Sequence, residues 1–175
     1  ISVEQGLIKP EDYPGILFLI HQLCEIPCEG SLSSATRTLK IFGSPYTPWF
    51  FNWAYNVARP DLEAIWQTIP ATVDLLVTHG PPKGILDVTR DWKTKEPIHI
   101  GSMSLTRNVE QRIKPKIHTF GHLHDEIGIS NFGWLDRSGV TFINCCCCDL
   151  PGNLVHHGVI VELSENSQIR IAEHS

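Results

Sequence analysis

The 175 residues carry 14 basic against 19 acidic side chains, for a formal net charge of -5 at pH 7, and 42% of them are hydrophobic. That suffices for one buried core and not two, so residues 1–175 are expected to form a single domain. The acidic balance has no basic stripe and argues against a surface that tracks nucleic-acid phosphates. A small phosphorylated ligand is compatible with it.

The chain opens with Ile1 rather than Met and reads as a fragment or a processed form. Gly15 to Ile20 is the first strong apolar run, but it falls far short of the ~20 residues that a membrane helix requires. Glu11 and Asp12 precede it where a signal peptide would carry positive charge. No membrane segment is therefore expected. Short runs rich in branched residues and bounded by Gly, Pro or polar turns predict strands at Ile16 to Ile20, Leu39 to Phe42, Val73 to Thr78, Ile117 to Phe120, Val140 to Ile143 and Val155 to Leu163. Between them, Asp61 to Ile69 predicts a helix behind Pro60, with Leu62, Ile65, Trp66 and Ile69 on one side. A second helix is predicted from Leu105 to Ile113, its apolar Leu105, Val109 and Ile113 recurring every four residues before Lys114-Pro115 closes it. Strand, helix and strand from Val73 to Phe120 make an α/β unit, and the strands after Gly121 predict an antiparallel extension. A mixed-sheet α/β sandwich accommodates both. The segment Ser44 to Trp53 is too aromatic for a flexible linker and is expected to be an ordered loop over the sheet.

Of the six cysteines, four are consecutive, Cys145 to Cys148, and the others are Cys24 and Cys28. Spaced loop-closing disulfides do not look like this, and a strained vicinal bridge or a single four-thiolate cage would be hard to form. They are read as small, partly buried residues at a strand end, with a redox or soft-metal role as the alternative. Reduced thiols favour a cytoplasmic location.

In Asp74-Leu-Leu-Val-Thr-His-Gly-Pro-Pro82 an apolar strand stops at a His-Gly-Pro-Pro corner, which places His79 at a carboxyl end, where ligands of α/β sheets gather. Gly80 permits a close or left-handed path, and the two prolines stiffen the exit. Alone, the segment also describes a histidine that simply bonds a neighbouring loop. Pro115-Lys-Ile-His-Thr-Phe-Gly-His-Leu-His-Asp125 repeats the arrangement with two imidazoles. Gly121 lets the backbone come close, while Leu123 can point into the core as His122 and His124 reach outward. A pair of surface histidines at a turn is the plainer alternative.

Val77-Thr-His-Gly-Pro-Pro82 followed by Phe120-Gly-His-Leu-His124 resembles the last two motif blocks of calcineurin-like metallophosphoesterases. The resemblance extends to the small metallophosphoesterase-domain proteins through Lys40 to Phe50, Ile113 to His118 and Thr141 to Asn144, and runs in the same order from about Leu39 to Leu163. It implies a four-layer αββα sandwich with a two-metal centre at strand carboxyl ends. In that centre His79 and His122 would bind one divalent ion and His124 the other, the ions being Mn, Zn or Fe. It further implies hydrolysis of phosphomonoesters or phosphodiesters, including substrates of the cyclic-nucleotide type. No catalytic residue beyond the ligands is assigned. The family also uses upstream Asp-x-His, Gly-Asp and Gly-Asn-His blocks, and none occurs between Ile1 and Thr72. The expectation is therefore a domain incomplete on its N-terminal side, the carboxyl part of a longer enzyme. The alternative is a catalytically impaired relative that binds a phosphorylated ligand or a protein partner.

His21 is read as a strand residue rather than a ligand, His118 as packed inside its strand, His156 and His157 as exposed or edge residues, and Asn144 as a structural turn residue. Tyr46, Trp49 and Trp53 could wall a nucleobase, although packing of a proline-rich loop is the commoner use of such residues.

Overall fold

A computed structural model describes residues 9–28, 37–163 and 169–172. In chain order its elements are β1 (Gln22–Cys28), β2 (Arg37–Ser44), β3 (Thr47–Pro48), β4 (Asn56–Val57), α1 (Leu62–Gln67), β5 (Leu75–Thr78), β6 (Val88–Arg90), β7 (Pro97–His99), α2 (Met103–Asn108), β8 (Ile117–Phe120), β9 (Gly133–Arg137), β10 (Val140–Asn144), β11 (Ile160–Leu163) and β12 (Ile169–Ala172). A π-helical turn, Val109–Ile113, continues α2. The fold class is α/β, as expected, with a mixed six-stranded sheet ordered β1-β2-β5-β8-β10-β9. The four inner strands run parallel, and β1 and β9 close the edges antiparallel.

The inner strands are apolar because parallel strands are covered and must bury most of what they carry. Phe42, Leu76, His118 and Phe142 lie in register across β2, β5, β8 and β10 as one buried row. Against that face pack Leu62 and Trp66 of α1, Leu105 of α2, and Val109 and Ile113 of the π turn. Fully burying side chains of this size stabilises the fold by about 1.5–3 kcal/mol each. Short α1 is finished from outside: the Arg112 guanidinium donates to the Ile69 and Trp66 carbonyls, both at 2.6 Å. Ser102 caps α2 by accepting from Leu105 N at 3.3 Å. On the opposite face Leu19 covers Gly43, where an added Cβ would come within 2.4 Å of Leu19 Cβ, and Val77 stays 37% exposed.

The chain departs from the sequence expectation in places. Ile16 to Ile20 forms no strand. His21 turns left-handed at φ 53°, and the edge strand begins only at Gln22, with Leu19 used for packing. The strand expected at Val155 to Leu163 forms only from Ile160 and pairs with β12 rather than with the main sheet. After Gly121 the chain does build antiparallel pairs, β9 with β10 and β11 with β12, yet β10 itself joins the sheet parallel to β8. Among the described residues no helix is long and apolar enough to cross a membrane.

Candidate metal centre

β5 and β8 are parallel neighbours, so the residues that follow them leave the sheet at the same edge. Backbone bonds fasten these exits together. His79 N donates to Ser44 O at 3.2 Å, Gly121 N to His79 O at 3.1 Å, and Cys145 N to Phe120 O at 2.7 Å. The consequence is direct: His79 Nε2 and His122 Nδ1 stand 3.1 Å apart, with ring centroids 4.7 Å apart. Two nitrogens bound to one ion at about 2.0–2.1 Å lie about 2.9–3.4 Å apart for right-angled to tetrahedral arrangements. The pair therefore has the spacing of two ligands on one ion. The same 3.1 Å also suits a hydrogen bond, in which one nitrogen carries the proton and donates to the other.

Gly121 is not the close-approach position expected of it, since an added Cβ there would meet nothing within 4 Å, and the left-handed residue of the second motif is His122, at φ 75°. Left-handed backbone at a non-glycine residue costs about 1–3 kcal/mol and persists where surrounding structure enforces it. Gly80 is a close-approach position: an added Cβ would lie 3.2 Å from Thr47 Oγ1 and 3.9 Å from His122 Cδ2. Leu123 points into the core as expected, at 8% exposure.

His124 is anchored by a bond of its own. Its Nδ1 lies 2.8 Å from Asp149 O, and because a carbonyl can only accept, Nδ1 carries the proton. The lone pair is left on Nε2, an arrangement common among metal-binding histidines. Asn131 Nδ2 donates to His124 O at 3.0 Å, and Asn144 Nδ2 donates to Leu123 O at 3.2 Å. Asn144 Oδ1 accepts from Cys146 N at 2.9 Å, so one buried amide ties the turn between the two motif histidines to the cysteine run. Asn144 supports the site's backbone as well as its turn. Asn131 and Asp149 carried no sequence signal: Asn131 bonds back over 7 residues from the following loop, and Asp149 acts from 25 residues on.

Electrostatics favour neutral imidazoles. Although His79 keeps part of its surface in solvent, burial lowers its pKa. Burial, followed by the nearby His79 and His124, pushes His122 down to about 4. Neutral rings are the form that donates a lone pair to a cation. Among the described residues, however, no three His, Cys, Asp or Glu side chains form a group able to hold a metal ion. The fit is partial. The pair suits one ion, His124 presents one further nitrogen, and no bridging carboxylate among the described residues completes a two-metal centre.

The cysteines follow β10 as expected. All six are free; Cys146, Cys147 and Cys148 are half-buried, while Cys145 is exposed beside His79 and His122 on a cavity of about 290 Å³. Burial raises the Cys145 and Cys146 pKa values, which works against thiolate formation. His118 is packed as expected. His156 is not an exposed edge residue: it is half-buried, stacks on Phe132 at 3.9 Å and lies 2.8 Å from Asp125 Oδ2. His157 is exposed. His21 bonds Ser44 Oγ at 2.9 Å and Thr68 Oγ1 at 2.7 Å, a bracing use.

Imidazoles delivered from adjacent carboxyl ends of a mixed α/β sheet define a ligand site of the kind such sheets build at their strand ends. Similarity to known proteins narrows the class. The chain is 32% identical over 157 residues to human metallophosphoesterase domain-containing protein 1, an alignment covering 89% of this chain and 44% of that protein. A Caenorhabditis elegans UPF0046 protein is 40% identical over 129 residues, covering 72% of this chain and 42% of that protein. A 101-residue segment is 41% identical to 9% of a probable rhamnogalacturonate lyase C of Emericella nidulans. No profile of a known protein family matches the chain. The chain thus spans less than half the length of these relatives. The similarities support a phosphoesterase-like family.

Proposed function

We propose that the whole protein to which these residues belong is a metal-dependent phosphoesterase. His79 and His122 share one divalent ion, His124 binds a second, and the remaining ligands come from outside the 175 residues. The observation that carries this reading is the 3.1 Å approach of His79 Nε2 to His122 Nδ1 at two parallel strand ends. The resemblance adds that the substrates are phosphomonoesters or phosphodiesters, with the cyclic-nucleotide type among them, and that the ions are Mn, Zn or Fe. Bound ions of this kind polarise phosphoryl oxygens and lower the pKa of bound water.

This chain's own contribution is positional. Burial favours neutral His79 and His122, so sharing one ion needs only that the proton between their facing nitrogens pass to the other nitrogen of its ring. The Asp149 carbonyl fixes His124 with Nε2 free, Asn144 holds the backbone between the two motif histidines and Asn131 holds the His124 carbonyl. Uncharged ligands add no negative charge to repel a phosphate. The test is hydrolysis of bis-p-nitrophenyl phosphate by the full-length protein with added Mn or Zn. Turnover that depends on the metal and is lost in His122→Ala is expected; a folded protein with no turnover under any divalent metal overturns the reading.

A second reading has an observation of its own. The lack of a complete metal-holding group among the described residues suits a catalytically impaired relative that binds a phosphorylated ligand or a protein partner. Phosphate-ester binding without turnover in the same assay would select it.

A further inference from the structure

Next to the histidine pair the structure spends apolar surface in an unusual way. Trp49, Phe51 and Trp53 are 61%, 73% and 61% exposed, although the sheet below has an apolar core that could have received them. Phe51 and Trp53 stand around Phe50, whose ring they meet edge-on at 4.6 and 5.3 Å, and Trp49 directly precedes it in the chain. Phe50 also faces the His122 ring edge-on at 6.2 Å. The cluster is therefore continuous with the candidate metal centre.

The exposure is built in and not a loose end. Trp49 N donates to Val57 O at 2.9 Å, and Trp53 N to Phe50 O at 3.2 Å. The Asn56 side chain accepts from Phe50 N and donates to the Trp53 and Ala54 carbonyls. Phe51, Asn52 and Tyr55 all adopt left-handed backbone, which bulky aromatic residues do only where the surroundings enforce it. A fixed group of outward-facing rings keeps its apolar faces ready without a further ordering cost on binding.

Charge limits what these faces can take. No charged side chain occurs between Lys40 and Arg59. Arg59 is occupied, donating to the Ile100 and Gly101 carbonyls at 2.8 and 3.1 Å. A phospholipid surface is held by basic residues around the inserting aromatics, and this loop offers none. A flat, uncharged ring suits it better.

We propose that Trp49, Phe51 and Trp53 form a stacking platform for the planar aromatic group of a phosphate ester whose phosphate lies at His79 and His122. The proposal rests on the phosphoesterase reading for the position of the phosphate. It makes the loop Pro48–Val57 the element that selects aromatic over aliphatic esters. Stacking on protein aromatics gives a discrimination of tenfold or more.

The test compares phenyl phosphate with methyl phosphate by calorimetry on the full-length metal-loaded protein, with adenosine as a probe that lacks phosphate. Wild type is expected to bind phenyl phosphate at least tenfold more tightly than methyl phosphate, and adenosine is expected to quench tryptophan fluorescence. In Trp49→Ala/Trp53→Ala the preference is expected to fall to within about twofold and the quenching to vanish. Equal affinity for the two phosphates in wild type overturns the proposal without need of any variant, as does a preference that survives the double substitution. If neither phosphate binds, the phosphoesterase reading fails, and adenosine quenching then decides the platform alone: its presence supports the platform and its absence overturns it. Sedimentation with anionic vesicles that is lost in the double variant would assign the rings to a membrane and also overturn it.

Discussion

Three residues separate His118 from His122, and the two imidazoles live in opposite physical worlds. His118 lies in the middle of β8, fully buried between Leu76 and Phe142 in the row that faces the helices. Thr78 Oγ1 donates to Gly80 O at 2.8 Å, so the His118 Nε2–H must donate to Thr78 Oγ1 at 2.9 Å. Its Nδ1 then holds a bare lone pair with no partner among the described residues. His122 lies beyond the strand end, half-buried, in strained backbone, with Nδ1 directed at another imidazole. Burial lowers both pKa values, to about 3 and about 4. The same shift has different uses. At His118 it leaves a packed core residue neutral, and at His122 it leaves a lone pair facing a place where a cation could sit. A depressed histidine pKa alone therefore does not mark a site; the direction of the free nitrogen does.

The strongest way to break this contrast is to remove each ring in turn from the full-length protein. His122→Ala is expected to lower metal-dependent hydrolysis by more than about 100-fold, beyond the range seen when only a ligand's supporting partner is lost. Urea unfolding should barely change in that variant. His118→Ala should do the reverse, costing about 2–4 kcal/mol of stability through the cavity and the lost Thr78 partner. Its metal affinity, measured by calorimetry on the folded fraction, should stay near wild type. A His118 variant that kept its stability but lost metal would erase the distinction.

Acid offers a milder probe. The His118 pKa is lowered from 6.5 to about 3, so the unfolded chain binds a proton that the folded chain refuses. Stability owed to the neutral ring is full above pH 6.5 and declines as pH falls from 6.5 towards 3. The slope attributable to His118 is about 1.4 kcal/mol per pH unit, and it should be missing from His118→Leu and so appear in the difference between wild type and that variant in denaturant melts at a series of pH values. A parallel pH dependence in both proteins would show that His118 takes up a proton inside the fold.

Cys145→Ser is the smallest expected change, because the thiol is exposed although it lines the same cavity as His122. Stability should move by less than about 0.5 kcal/mol and metal affinity by less than twofold. A tenfold loss of affinity would instead make Cys145 a ligand.

Much of this was legible in the chain because it depends on local pattern. The apolar run ending at Thr78 and the run ending at Phe120 announced two strands whose ends carry His79 and His122, and the four-residue recurrence of Leu105, Val109 and Ile113 announced a buried helical face. What was illegible depends on partners far apart in sequence. Ile16 to Ile20 has the composition of a strand, yet the edge position went to Gln22–Cys28, whose alternation is weaker, because pairing to β2 decides an edge strand and pattern does not. His156 looked like an edge residue until Phe132 and Asp125 met it from another loop. Trp49, Phe51 and Trp53 are a local exception: their composition suits a core, and Asn56, bonded to Phe50 and Trp53 six and three residues back, helps the left-handed turns hold them outward.

The sequence by itself therefore determined which residue types stand at the strand ends, and with them the α/β class and the three imidazoles, because alternation and turn chemistry act over a few neighbouring residues. Tertiary structure alone decided that His79 and His122 share one place while His124 takes its tautomer from Asp149, and that one aromatic loop faces the solvent beside them. The two histidine outcomes rest on parallel register and on hydrogen bonds between residues 43 and 25 positions apart, which no local window of the chain can fix.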